Sequence, residues 1–371
     1  MSERRTEGMK VVIKRIVAAV VFMCILVVAV NNLGYFLRPD DMNTESFDYL
    51  YKEDDDTVNV ACIGSSAIYR FWIPQEAYEK SGFTSALVAS AAQDIKTVPY
   101  LMDEVLRTQD VDLFVVEVRQ PVAERARKIN NKYVQKDATG SFAYVATSMK
   151  QSADRVQMID QMLVEDEDNT KLEWWIPLLK YHDNSHTFTA DQIVARLNGV
   201  DEDDMYVRQA STIQVNEQKG FVADTQYEFT DEDKRELDMV AAKAEKLGKK
   251  VLFVATPYSP GKVRGALHLQ MNDYIEQQGY DYLDLNQYVD QIGLDFSTDY
   301  YDDIHTNIAG AQKVTAYLAN YLKENYDMQS RLDESQAAHW ESMCKKWDKQ
   351  AEELMKAWEQ EKAKGENSEE R

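Results

Sequence analysis

Val58-Asn59-Val60-Ala61-Cys62-Ile63-Gly64-Ser65-Ser66-Ala67 opens the part of the chain where the fold is decided. An apolar run ends there in a turn of small residues, and similar runs recur as SALVA at 85–89, DLFVVEV at 112–118, KVLFVAT at 250–256 and YLDL at 282–285. These runs are continuous rather than alternating, which suits strands covered on both faces. Between them the apolar spacing becomes helical, at Val98–Leu106, Asp231–Leu247 and Asn307–Leu322. Strands alternating with helices predict βαβ units, so the expected fold is α/β, a doubly wound parallel sheet of about five strands. Ligands of such sheets bind beyond the carboxyl ends of the strands, and functional residues are sought there.

Working outward, Arg4, Arg5, Lys10, Lys14 and Arg15 precede the apolar run IVAAVVFMCILVVAV at 16–30, which continues less strictly to Leu37 and closes at Arg38-Pro39. Segment 16–37 has the roughly 20 residues needed to cross a bilayer. Its basic charges all lie before it, so positive-inside orientation leaves residues 1–15 cytoplasmic and the remainder extracytoplasmic. The strict apolar core is also short enough for a cleaved signal peptide. No small-x-small cleavage site follows it, however, and Cys24 lacks the small preceding residue of a lipoprotein site. The expectation is an uncleaved, single-pass signal anchor in the cell membrane.

Residues 38–57 are polar and acidic and read as a linker. An α/β domain is expected over 58–327, interrupted at about 123–230 by a helical insertion that carries Trp174-Trp175 and Tyr181-His182. Residues 328–371 read as a charged helical tail. Trp340, Met343, Trp347, Ala351, Leu354 and Trp358 make one apolar stripe along it, suited to packing on the domain, to a partner helix or to a coiled coil. The closing KAKGENSEER has the composition of a disordered end. The chain carries 42 basic and 64 acidic residues, a formal charge of −22, which argues against nucleic acid as a partner. Its three cysteines form neither a disulfide framework nor a zinc cluster. The acidic runs do not match a calcium loop, and no Gly-rich phosphate or dinucleotide motif occurs, so no metal or cofactor is expected.

Two short stretches carry chemistry. In Tyr301-Asp302-Asp303-Ile304-His305-Thr306-Asn307 a carboxylate precedes a histidine by three residues in a loop that opens a helix, and Asn307 suits the helix cap. Such a carboxylate can fix the imidazole tautomer for nucleophilic catalysis, or it can simply cap the turn beside a surface histidine. After the first strand, Gly64-Ser65-Ser66 allows a tight turn that projects a serine hydroxyl, or equally caps a helix. A serine needs an adjacent base, and His305 can supply one to Ser66. His182 and Tyr258 are candidates for contacting substrate, with a surface or hydrogen-bonded role as the alternative for His182. His186, His268 and His339 show no partner in the sequence and are expected at the surface. Cys62, within the strand, is expected to be buried and inert.

Gly64-Ser65-Ser66 after the first strand and Asp302-x-x-His305 before the last helix resemble the first and last motif blocks of the SGNH (GDSL-like) hydrolases. The Gly-Ser-Ser form, the anchor and the Asn-x-x-Gly after the histidine look like the DltD/AlgX-like, membrane-anchored cell-envelope branch. The resemblance spans roughly residues 58–325. It implies Ser66 as nucleophile, His305 as base and Asp302 as its orienting partner, with Asp303 as a substitute for Asp302. The middle blocks depart from the family. Ser90-Ala91-Ala92-Gln93 stands where a glycine is usual, and Glu117-Val118-Arg119-Gln120-Pro121 stands where many members have Gly-x-Asn-Asp. Ala92, through its backbone N–H, and Arg119 or Gln120 are then the oxyanion candidates. Arg119 has the alternative of a salt bridge with Glu117 or another carboxylate. The function implied is an extracytoplasmic serine esterase or O-acyltransferase acting on an envelope glycan or related polymer, with a membrane-bound O-acyltransferase as a partner supplying acyl groups. The competing expectation is a non-catalytic binding or assembly protein on the same fold.

Overall fold

The computed structural model describes residues 2–39, 42–130, 141–165, 167, 169–186, 188–189, 193–194, 196 and 209–369. All five apolar runs become strands: β1 Val60–Gly64, β2 Ser85–Ala89, β3 Leu113–Glu117, β4 Lys250–Ala255 and β5 Tyr282–Asp284. They lie in the order β2-β1-β3-β4-β5, and every neighbouring pair is parallel. Every residue of β1, β2 and β3 is buried, which is why these runs do not alternate. This is the flavodoxin-like order, whose winding reverses between β1 and β3 and opens a crevice at their carboxyl ends. Ile63 pairs with Val116 in the sheet. A Cβ on Gly64 would lie 2.6 Å from the Glu117 Cβ, so the glycine is required by the close approach of the two strand ends rather than by the tight turn inferred from sequence.

The chain forms two compact units, Asp41–Met149 with Val200–Arg371, and Met1–Asp40 with Lys150–Gly199. The larger unit holds the sheet. Its core joins Cys62, Val115, Leu252 and Leu283 to Trp72, Leu318 and Leu322 from the covering segments. The helix Asp231–Leu247 starts on a reciprocal Thr230/Asp233 cap and stops at Gly248, where φ is +66°, as start and stop signals of this kind dictate. The crossover from β4 to β5 is the helix Lys262–Gln278. The apolar pattern leaves it unmarked because Gly265, His268 and Asn272 share its buried face with Leu267, Met271 and Ile275. His268, expected at the surface, is fully buried.

Two boundaries differ from the sequence reading. The acidic stretch 38–57 is not a plain linker: Met42–Leu50 is a helix against β2, with Phe47 and Leu50 fully buried and Ser46 Oγ donating to Ala89 O at 2.8 Å. Three buried contacts spaced along one helical face outweigh the acidic residues on the other. The insertion at 123–230 is not one body either. Phe142–Ser148 belongs to the larger unit, whereas Ala153–Met162, Lys171–Trp175 and Pro177–Tyr181 belong to the smaller one. Its residues 131–140 and most of 187–208 lie outside the described residues.

The tail is the helix Glu334–Glu369. Its apolar stripe packs on Pro74–Ser81 and Ile308–Asn325, with Trp340, Met343, Trp347 and Ala351 buried and Trp347 Nε1 donating to Glu76 Oε1 at 2.9 Å. The backbone stays helical through most of the closing segment expected to be disordered, in keeping with its Lys, Ala and Glu content. In the smaller unit the helix Ser2–Phe36 contains a stretch, Gly8–Phe36, long and apolar enough to cross a membrane, with none of its most apolar window buried.

Candidate active site

Ser65 and Ser66 divide the two roles that the sequence left open between capping and chemistry. Ser65 caps the short helix Ser66–Tyr69, its Oγ accepting from Ala67 N at 3.2 Å and donating to Glu117 Oε2 at 2.9 Å. That leaves the next hydroxyl free to turn outward, and Ser66 Oγ lies 2.7 Å from His305 Nε2. His305 Nδ1 is 2.7 Å from Asp302 Oδ2. Asp302 Oδ1 accepts the backbone N–H groups of Ile304 at 2.9 Å and His305 at 2.8 Å, so the same carboxylate shapes the turn and holds the ring. With Nδ1–H donated to Asp302, Nε2 is the acceptor that faces the serine.

Charge follows from this geometry. Burial alone would raise the Asp302 carboxyl, but the His305 ring hydrogen bond, the backbone N–H groups and the nearby imidazole together hold it below the usual carboxylate range. Burial lowers His305 from its ordinary value, and Arg119 and Arg70 add to that, against the opposing pull of Asp302. His305 is therefore neutral, and so able to accept a proton, at neutral pH.

The loop is braced from outside by an irregular segment that the sequence reading passes over. Gln214 N donates to Tyr300 O at 2.8 Å and Asn216 Nδ2 to Asp302 O at 2.8 Å. Asp303, the substitute for Asp302, instead accepts from Gln214 Nε2 at 2.8 Å. Asn307 caps Ile308–Asn325, as its position predicts, and its amide donates to Thr298 O at 2.7 Å. Tyr301 stacks on the His305 ring at 5.6 Å between centroids, with the Arg70 guanidinium 4.7 Å above Tyr301.

Arg119 follows β3 across the crevice. Its guanidinium donates to Thr256 Oγ1 at 2.8 Å and Ile304 O at 2.9 Å, while Nε finds no acceptor among the described residues. The alternative salt bridge with Glu117 does not form: Glu117 takes the backbone N–H of Arg119 and the Ser65 hydroxyl instead. Burial pushes the Glu117 carboxyl up despite the Arg119 charge and these hydrogen bonds. Gln120 Nε2 donates to Ala92 O at 3.1 Å and Glu124 Oε1 at 2.9 Å, so both amide hydrogens are engaged. Ala92 sits past β2 at φ +50°, and its N–H meets no acceptor among the described residues. A cleft of about 40 Å³ beside Ser66 is lined by Arg119, Gln120, Tyr258, Arg264 and His305.

Tyr258 thus reaches the site, with its ring 4.3 Å from the Arg119 guanidinium carbon. Behind it, its hydroxyl is 3.3 Å from His268 Nδ1, and His268 Nε2 is 3.0 Å from Asp284 Oδ2. The spacing of His268 and Asn272 beside apolar neighbours on one helix is the signal that could have found this group. His182 belongs to the smaller unit, where its side chain is exposed and Nδ1 lies 2.9 Å from Leu179 O. Asp94, Glu124 and Glu236 bring carboxylate oxygens within 4.8 Å of one another. Lys96 Nζ stands 3.3 Å from Asp94 and 3.7 Å from Glu236, supplying the counter-charge a cation would bring. Burial pushes Glu124 and Glu236 up to about 7.

No family model and no curated protein matches the chain. Among solved structures, a gut microbial diltiazem-metabolizing enzyme is similar at 9% identity and a TM-score of 0.30. That match covers 74% of this chain and 48% of the other, so the chain spans about half the length of that enzyme. The functional reading therefore comes from the residues themselves.

Proposed function

We propose that the chain is a membrane-anchored, extracytoplasmic serine esterase or O-acyltransferase of the SGNH type, acting on an envelope glycan or related polymer. The observation that carries this reading is the unbroken line from Ser66 Oγ through His305 to Asp302, 2.7 Å at each step. Ser66 Oγ attacks an acyl carbonyl carbon while its proton passes to His305 Nε2, and Asp302 stabilises the imidazolium. The oxyanion takes the N–H groups of Ser66 and Ala92, with the Nε–H of Arg119, which meets no acceptor among the described residues, as a further donor. Collapse expels the alcohol, which receives the proton from Nε2, and leaves the acyl ester on Ser66. Water or a sugar hydroxyl, deprotonated by His305, then releases the acyl group as acid or as a new ester. A membrane-bound O-acyltransferase is the partner that the resemblance implies as acyl source.

One observation favours a second reading, a non-catalytic binding or assembly protein. The cleft beside Ser66, about 40 Å³, is small next to the pockets of about 300 Å³ and more that bury most of a small-molecule ligand. Turnover of p-nitrophenyl acetate, with and without oligosaccharide acceptors, separates the two. Catalysis predicts release by the wild type that is abolished in Ser66→Ala and His305→Ala. No release by folded wild type, or equal release by Ser66→Ala, leaves the binding reading.

A further inference from the structure

The smaller unit grips the apolar helix at one level. A Cβ on Gly34 would collide with the backbone of Leu178 and lie 2.8 Å from Pro177 C, so the helix Pro177–Tyr181 lies directly against the backbone of the long helix. Asn184 Nδ2 donates to Leu37 O at 3.0 Å one turn further on, and Arg196 donates to Phe36 O. Gly34 is therefore a contact that no other residue type allows, built to bring a second element to the carboxyl end of the apolar run.

The height of this contact follows from helix geometry. Cys24 lies near the middle of the apolar stretch, and ten residues at 1.5 Å each place Gly34 about 15 Å further along. Half the hydrocarbon thickness of a bilayer is also about 15 Å. If the long helix spans the bilayer, Pro177–Tyr181, on which Lys171–Trp175 packs, falls at the boundary between hydrocarbon and headgroups. Their composition suits that boundary. Leu172 is 54% exposed and Leu179 45%, and Leu33 on the long helix is 49% exposed. Tyr35 directly follows Gly34 on the long helix, and the Arg38 guanidinium lies 3.6 Å from the centroid of the Tyr35 ring. Aromatic rings and long cations with apolar stems are the residues that settle at such interfaces.

We propose that Lys171–Tyr181 forms a collar seated in the headgroup region of the bilayer, with Leu172 and Leu179 inserted among the upper acyl chains. It rests on the reading that the helix Gly8–Phe36 spans the membrane. Exposed leucines on helices packed against a membrane span are covered by lipid continuously with that span, at the same modest depth as other interfacial helices.

The native cysteines make the two claims separable, because Cys24 is exposed whereas Cys62 and Cys344 are buried. The full chain is reconstituted into vesicles of phosphatidylcholine and phosphatidylglycerol carrying nitroxide lipids, with the spin label either shallow or deep on the acyl chain. A thiol-reactive fluorophore is placed on Cys24, or on Leu172→Cys, Leu179→Cys or Met239→Cys in a Cys24→Ala background. Met239 is exposed on Asp231–Leu247 and serves as the aqueous reference. Quenching of Cys24 by deep labels, together with about threefold stronger quenching of positions 172 and 179 than of 239 by shallow ones, supports the collar. Deep quenching of Cys24 with 172 and 179 no more quenched than 239 overturns the collar and leaves the span intact. Positions 172 and 179 shielded from both lipid and iodide overturn it in favour of a protein cover. Loss of deep quenching at Cys24 removes the span and the collar together.

Discussion

Asp302→Asn tests how the imidazole is set. In the native loop Oδ1 holds two backbone N–H groups, and Oδ2 faces His305 Nδ1. In the variant the amide oxygen keeps the backbone bonds, which places the NH₂ opposite Nδ1. Nδ1 must then accept, so the ring proton moves to Nε2, where it faces Ser66 Oγ and blocks transfer. Removing the orienting carboxylate of a serine triad costs ~10⁴ in rate when the pair is buried. Asp302 is 35% exposed at its side chain, so water partly replaces the contact, and we expect a loss of about 10³, or ~4 kcal/mol of barrier. Stability should change by less than about 1 kcal/mol, because the backbone bonds persist and what weakens is one hydrogen bond from a neutral ring to a partly exposed side chain. The assay is the second-order rate of phosphonylation of Ser66 by a fluorophosphonate, with a thermal melt as the fold control. A loss of under about tenfold in a folded variant would refute the tautomer argument. Asp303→Asn, whose side chain meets Gln214 instead, should keep the native rate.

The phosphonylation rate of the wild type should rise with pH and level off with a midpoint below 6.5, because burial lowers His305 from that value; a midpoint above 6.5 would contradict the burial. The same shift has a signed effect on folding. The unfolded chain binds this proton more tightly, so the stability tied to neutral His305 is complete above about pH 6.5 and is lost as pH falls through the lower folded value. Gly64→Ala should destabilise by about 2 kcal/mol through its clash with Glu117, read as an earlier denaturant midpoint, and a neutral result would show that β1 and β3 can part without cost. Trp347→Ala should cost about 3 kcal/mol by opening the cluster formed with Ile73, Ile308 and Ala311. If its melt matched the wild type, the tail would not be packed on the domain in solution.

The sheet was legible because its strands are covered on both faces: SALVA at 85–89 is read to the residue, and the other runs shift by one or two positions at their ends. The crossover helix Lys262–Gln278 was not, since a histidine and an asparagine occupy its buried face and satisfy each other's neighbourhood through Asp284. Ser66, Asp302 and His305 could be singled out because each stands at a turn with a chemical reason for its type. Their braces could not. Asn216 and Gln214 act through backbone and amide contacts from an irregular segment, which leaves no periodicity to read. Arg119 was legible as a residue but not in its partners, because the choice between Glu117 and Thr256 is made by the register of β3 against β4. The helix in 42–50 was masked by acidic neighbours, although Phe47 and Leu50 carry its packing.

The most direct test of the proposed chemistry is to treat the full chain with a fluorophosphonate and map the adduct by peptide mass spectrometry. The account predicts a single adduct on Ser66, absent in His305→Ala, with Ser65 unmodified because its hydroxyl is committed to Glu117. An adduct on Ser65, an adduct on Ser66 that persists at the native rate without His305, or no adduct on the folded chain would contradict it.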